Sequence, residues 1–272
     1  MATRWPITSV SDAIRWACVL EATAPKLGNV HPSASFDDLR YEHFAIAARI
    51  TAEELTEYSH PIGKRISQTV EQTRLQCGTN VNLGIVLLLG PLVESYRKNP
   101  WSSLPQRISL EGIFDIDDSQ VIFQAIATAG AGGLGNKEQL DVRTPPPDLH
   151  LTEAMKHAAG RDDVALQYTT EFDRVCTAIT PKLIEETKQL GMLEGIAETQ
   201  RWMLAEYADT LISRKHDANV AKRIQQKAQQ LDSLELDALL RGDGNQYNPG
   251  TTADLLAASI FVMLAGMIPE TR

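Results

Sequence analysis

The stretch Gly78-Thr79-Asn80-Val81-Asn82-Leu83-Gly84-Ile85-Val86-Leu87-Leu88-Leu89-Gly90-Pro91-Leu92 decides how the chain is read. A polar step, Thr79 to Asn82, runs straight into an apolar run, Ile85 to Leu89. The run is far shorter than the roughly 20 apolar residues needed to cross a bilayer. It reads as a buried helix with asparagines at its N-terminal end. Backbone N–H groups are free at such an end and the helix dipole is positive there, so anions bind readily. The plainer reading is that Thr79 or Asn80 caps a core helix.

Outward from this stretch the pattern stays helical. Residues 9–24 carry Val10, Ile14, Ala17, Cys18 and Leu20 on one side, and Pro25 ends them. A loop at 26–35 mixes turn formers with Lys26, Asn29 and His31. Helices are predicted from Asp37 through Ile50, at 63–76 and at 81–97. A connector at 99–118 holds Pro100, Pro105 and Gly112, and Asp117 or Asp118 can cap a helix at 121–129. Gly130-Ala-Gly-Gly-Leu-Gly135 ends that helix, and Thr144-Pro-Pro-Pro-Asp148 forms a stiff segment. Further helices are expected at 151–159, 163–178, 181–190, 193–210, 217–232 and 233–241. The last, 251–267, is apolar nearly all round and therefore buried. No alternating strand run or fixed-period repeat interrupts the series. The expected fold is all-α, as one domain over residues 1–272 with the central and C-terminal helices in its core.

The 272 residues are 43% hydrophobic and 22% charged, the balance of a soluble globular protein with a substantial core. A net charge of −9 argues against a nucleic-acid footprint but allows a local basic pocket. No membrane association is expected, and a homo-oligomer remains open. Cys18, Cys77 and Cys176 lie far apart, which suits a reducing compartment and argues against a zinc cluster. The first residues lack the n-region and h-region of a signal peptide, so the cytoplasm is the expected location.

Four clusters can carry chemistry. The glycines at 130–135 fit G-x-G-x-x-G, but a helix precedes them where the dinucleotide motif needs a strand, so that motif is rejected. They can end a helix or bring backbone close to a ligand. Asp37-Asp38 either caps a helix or holds Mg²⁺ for a polyphosphate. Asp209-Thr-Leu-Ile-Ser-Arg-Lys-His216 sets an acid before three cationic side chains; these complement a helix dipole or bind a triphosphate, with Arg214 supplying a bidentate fork. His31 stands in a polar loop with no second histidine at metal-ligand spacing.

The order of these pieces resembles the triphosphoribosyl-dephospho-coenzyme A synthase family. The matching segments are Pro25-Lys-Leu-Gly-Asn-Val30, Gly78-Thr-Asn-Val-Asn-Leu-Gly84, Gly132-Gly-Leu-Gly135, Asp209-Thr210 and Asn248-Pro-Gly-Thr-Thr-Ala-Asp-Leu255. The resemblance implies an all-helical enzyme in which a hydroxyl of dephospho-coenzyme A, or a related precursor, attacks C1′ of the ribose of ATP. Adenine leaves and the triphosphate stays on the transferred ribose. Mg²⁺ and cations would hold the triphosphate, and carboxylates would take the proton and face an oxocarbenium-like centre.

There are departures. Ser35-Phe36-Asp37-Asp38 stands where the family has His-Lys-Asp-Met, and Asn80-Val-Asn-Leu-Gly84 where it has Asn-Thr-His-Lys-Gly. Ala208-Asp-Thr-Leu211 replaces Gly-Asp-Thr-Asn. The chain resembles a divergent branch, and a non-catalytic nucleotide- or partner-binding protein is the alternative.

Charge matching predicts one cleft for the anionic donor. Lys26, Arg214 and Lys215 would supply cations, Thr79, Asn80, Asn82, Thr251 and Thr252 helix N-termini, and Asn29, Gly132, Gly133, Gly135 and Thr210 the remaining contacts. Asp37 and Asp38 would hold Mg²⁺. Asp209, as general base, with Asp38 and His31, are the catalytic candidates.

Overall fold

Helix α4 (Leu83–Lys98) is the apolar run of the central stretch, and its buried face includes Ile85 through Val93. Asn80 starts it: its Oδ1 accepts from the backbone N–H of Leu83 at 3.1 Å and of Asn82 at 3.3 Å. Pro91 sits inside the helix and lacks the N–H that would bond to the Leu87 carbonyl. The buried hydroxyl of Tyr168 supplies that bond instead, at 2.6 Å. A proline that would otherwise orphan a core carbonyl is thus tolerated because a distant helix brings the donor.

The computed structural model describes residues 7–129 and 145–269. Among them the chain forms thirteen α-helices and one π-helical segment, with no strand beyond an isolated bridge between His31 and Ala34. The all-helical expectation holds. Helices α1 (Val10–Thr23), α2 (Tyr41–Leu55), α3 (Ile62–Cys77) and α5 (Ile116–Thr128) pack in sequence, with α4 against α3. A buried ion pair, Arg65 with Glu94, joins α3 to α4. Next come α6 (Leu151–Ala158), α7 (Asp163–Thr169), the π-helical turn (Arg174–Ile179), α8 (Thr180–Leu190), α9 (Met192–Glu206), α10 (Thr210–Lys215), α11 (Ala218–Ala228) and α12 (Ser233–Arg241). The last helix, α13 (Gly250–Ala265), touches α1, α4, α7, α8, α9, α10 and the π-helical turn, so elements from both ends of the chain share it. Fourteen of its sixteen residues are buried, as its all-round apolar sequence requires. A second, smaller apolar cluster ties Leu204 of α9 and Ile212 of α10 to α11 and α12.

Several boundaries differ from expectation, among them the helix expected at 217–232, which ends at Ala228. The second helix starts at Tyr41, after a turn at Phe36–Leu39, so Asp37 and Asp38 lie outside it. The fifth starts at Ile116, where Asp115 forms the capping box with Asp118. The expected helix 163–178 breaks because Glu171 and Phe172 take positive φ and the Glu171 carbonyl accepts from the Ile108 N–H at 2.8 Å. The expected helix 193–210 stops at Glu206, because Asp209 turns outward to cap a separate short helix. The glycine-rich 130–135 segment and Thr144 lie outside the described residues.

The Pro91–Tyr168 arrangement has a stability consequence. Tyr168→Phe orphans a buried carbonyl and is expected to cost about 1–3 kcal/mol in urea unfolding. Adding Pro91→Ala restores an N–H donor and is expected to recover most of that loss. Additive losses in the double variant would show that the hydroxyl does not compensate for the proline.

Candidate functional site

The N-termini of α4 and α13 meet side by side. Asn80 takes the Leu83 N–H at the start of α4 and Asp209 the Thr252 N–H at the start of α13. The two ends come close because residue 84 is glycine: a Cβ there would overlap the carboxylate of Asp254. Asp254 lies one turn inside α13, and among the described residues no hydrogen-bond donor reaches its carboxylate. It is half-buried and lines a cavity of about 380 Å³.

Short helix α10 forms the next wall, and Asp209 fixes it. Its Oδ1 accepts from the N–H groups of Leu211 and Ile212 at 2.9 and 3.0 Å. Its Oδ2 accepts from the N–H and hydroxyl of Thr252, both at 2.8 Å. One buried carboxylate thereby caps α10 and clamps it to the first turn of α13. Thr210 accepts from the Asp163 N–H at 3.1 Å and ties α10 to α7. So anchored, α10 presents Arg214 and Lys215 to the cavity. Arg214 pairs with Asp162, whose other oxygen caps α7. Lys215 donates to the Asn245 carbonyl at 2.9 Å, and the Asn245 amide donates to Asp38 at 2.6 Å.

The opposite rim is a set of amides. Asn29 donates to Asn248 Oδ1 at 2.5 Å and accepts from Gln200 at 3.2 Å. Its loop turns at Gly28, which has φ +67° and lies against Leu240 where a side chain would clash. Asn82 donates to Thr51 at 2.9 Å, while its Oδ1 is buried with no partner.

The electrostatics single out Asp254. Burial raises its pKa well above the ordinary carboxylate value; Glu21, Asp209 and Asp162 add repulsion, and Arg214 opposes them. Burial also raises Glu21, opposed by the Lys26 ammonium 3.1 Å away. For Asp209, burial raises the pKa against the pull of its hydrogen bonds from Thr252 and Ile212. Lys215 is lowered by burial, with Asp38 and Asp209 opposing.

Of the residues expected to converge, Asn29, Asp38, Thr79, Asn80, Asn82, Arg214 and Lys215 line the cavity. Others do not. Lys26 is 1% exposed and bound to Glu21, so it is no free phosphate ligand. Asp209 has both oxygens occupied by the clamp, which leaves it behind the wall and not in a general-base position. Thr210, Thr251 and Thr252 serve the same joint or lie buried in it. His31 sits near Arg241 outside the cavity, its pKa lowered by burial and then by Arg241 and Lys26. Asp37 is exposed and does not line the cavity, so the expected carboxylate pair is reduced to Asp38. Gly132, Gly133 and Gly135 lie outside the described residues. Among the described residues no three His, Cys, Asp or Glu side chains form a metal-holding group.

The lining also includes Glu21, Arg161, Asp162 and Asn245, which sequence reasoning passed over, and Asn248 and Asp254, which stood in the matching 248–255 segment without a role of their own. Asp254 had a signal, since it is the lone charge in an otherwise apolar helix and sits too deep to cap it. The others depend on tertiary contact.

The inner part of the cavity is different in character. Leu151, Ala154, Met155 and Ala158 form one stripe of α6 and face it together with Phe123, Ile126 and Leu87.

Residues 7–270 match the family model CitG, described as ATP:dephospho-CoA triphosphoribosyl transferase. Among solved structures the chain is similar to one from Archaeoglobus fulgidus, provisionally described as a triphosphoribosyl-dephospho-CoA synthase. The two share 22% identity and a TM-score of 0.61, over 84% of this chain and 98% of the other. That likeness concerns the fold. No curated protein matches the chain. No helix among the described residues is long and apolar enough to cross a membrane.

The raised pKa of Asp254 has a definite sign. The folded protein holds this proton more tightly than the unfolded chain, so folding is penalised as pH rises from the unfolded value through the folded one. Asp254→Asn removes the penalty. It is expected to raise the melting temperature at pH 8, with the gain shrinking as pH falls toward 4. A variant less stable than wild type at pH 8 would contradict an unpaired, half-buried carboxylate.

Proposed function

The chain belongs to the ATP:dephospho-CoA triphosphoribosyl transferase family and is a transferase of that type; from this premise we propose that ATP is its donor and that transfer occurs in the cleft beside Asp254. The observation that carries the proposal is a half-buried carboxylate that lines the cavity against Gly84 at the start of α4, with no hydrogen-bond partner among the described residues.

The transfer makes a bond from the acceptor hydroxyl oxygen to C1′ of the ATP ribose and breaks the bond from C1′ to adenine. The hydroxyl loses a proton and departing adenine gains one. A carboxylate near C1′ stabilises positive charge on the ribose and can take the hydroxyl proton. The elevated pKa makes Asp254 the stronger base for that task. Arg214, Lys215 and the α4 N-terminus suit the triphosphate, whose charge would draw Arg214 from Asp162. The amides of Asn29, Asn80 and Asn82 suit the edges of a purine.

Magnesium fits this donor set as an ion held mainly by the triphosphate, since Mg²⁺ commonly takes one or two protein carboxylates and keeps waters. Asp38, at the rim beside Lys215, would hold it. When bound, the ion neutralises phosphate charge. Free Cys18, Cys77 and Cys176 support a reducing compartment, and with the need for ATP they favour the cytoplasm. The non-catalytic alternative rests on the departures at 35–38, 80–84 and 208–211, and the match to the transferase family over residues 7–270 favours the catalytic reading.

The test is adenine release. Incubation with ATP, Mg²⁺ and dephospho-CoA is expected to yield adenine in equal amount to a product heavier by a triphosphoribosyl unit. Asp254→Asn is expected to lower kcat by roughly 100-fold or more. Arg214→Gln is expected to raise KM for ATP by about tenfold through loss of a charged hydrogen bond. ADP or pyrophosphate without adenine, or full activity in Asp254→Asn, would overturn the proposal.

A further inference from the structure

The cavity has two unlike halves, and the reaction brings two unlike reactants. The polar half joins Arg214, Lys215, Asp254 and the amide rim. The inner half is built from the α6 stripe with Phe123, Ile126 and Leu87, and none of these side chains is polar. Phe123, Ile126, Leu87 and Leu151 are each less than 8% exposed, so this surface belongs to the interior and not to a solvated rim.

Adenine does not suit the inner half. Its ring nitrogens and amino group would be buried against hydrocarbon, at about 1–3 kcal/mol for each unpaired group. Departing adenine must also gain a proton, and the ionisable groups stand in the polar half. The triphosphate is excluded by charge. What remains for the inner half is the acceptor, by a part of it that is uncharged and largely aliphatic.

The geometry points to the inner chamber as the acceptor subsite, which grips the uncharged arm of a coenzyme-like molecule while its nucleoside end reaches toward Asp254. Dephospho-CoA has this shape: a nucleoside diphosphate joined to a pantetheine arm that carries no charge. The inference rests on the transferase reading above and adds the direction in which the acceptor lies. It makes Ala154 and Ala158 specificity-determining, because small side chains at these positions leave the chamber open.

Pantetheine alone is the probe, since it has the arm but neither phosphate nor nucleoside. Wild-type protein is expected to bind it in calorimetry or ligand-observed magnetic resonance. Dephospho-CoA is expected to displace it and ATP is not. Ala154→Trp fills the chamber and is expected to weaken pantetheine at least about tenfold while leaving ATP affinity unchanged. Ala154→Leu, a smaller change at a half-buried position, is expected to shift binding in the same direction, and circular dichroism verifies the fold of both. Failure of wild type to bind pantetheine, its displacement by ATP, or an equal loss of ATP affinity in the variants would overturn the subsite. Pantetheine binding without adenine release would leave the subsite standing and sink the transferase chemistry. Adenine release without pantetheine binding would do the reverse.

Discussion

A half-buried carboxylate left without a donor among the described residues is the constraint that shapes this site. An isolated buried charge is costly, and a side chain in that position raises its pKa to avoid the cost. Asp254 does so, with Glu21, Asp209 and Asp162 adding to the effect. Helix geometry supplies part of the compensation. Asp254 lies in the second turn of α13 and abuts Gly84 in the first turn of α4, so both helix N-termini, where the dipole is positive, are near it. Gly84 permits the approach, since any side chain there would occupy the carboxylate's place.

The surroundings hold that arrangement rigid. Asp209 spends all its hydrogen-bonding capacity on joining α10 to α13, and Thr210 extends the joint to α7. Gln200 binds both backbone groups of Leu27 as well as Asn29, so α9 fixes the loop that carries the amide rim. Lys26 and Glu21 form a buried pair beneath the same loop. Removing one partner of such a pair typically costs about 3–5 kcal/mol because the other is left uncompensated. Polar residues that look catalytic in isolation are here the frame around Asp254.

This division explains what could be seen in the sequence. Helices α4 and α13 were legible because their apolar character is local and extends over many residues. The amide start of α4 was legible for the same reason, and Asn80 and Asn82 do face the cleft. Arg214 and Lys215 were recognisable as cations with a role. Asp209 was conspicuous as an acid before them, but whether its oxygens are free depends on Thr252, distant in sequence. Lys26 read as an available cation because its partner, Glu21, lies across the bend at Pro25. The break at Glu171–Phe172 depends on a contact with Ile108 and leaves no local mark. Six-residue α10 is too short for periodicity to reveal, and only its cap separates it from α9.

What Asp254 faces when the donor is bound decides whether it takes part in transfer. A crystal structure of the protein with ATP and Mg²⁺, in the absence of acceptor, tests this most directly, because without a hydroxyl to attack C1′ the donor remains intact. The triphosphate is expected against Arg214, Lys215 and the N-terminus of α4, with C1′ of the ribose beside the Asp254 carboxylate and the α6 stripe still open. ATP bound with its ribose away from Asp254, or with adenine filling the chamber beneath Ala154, would contradict it.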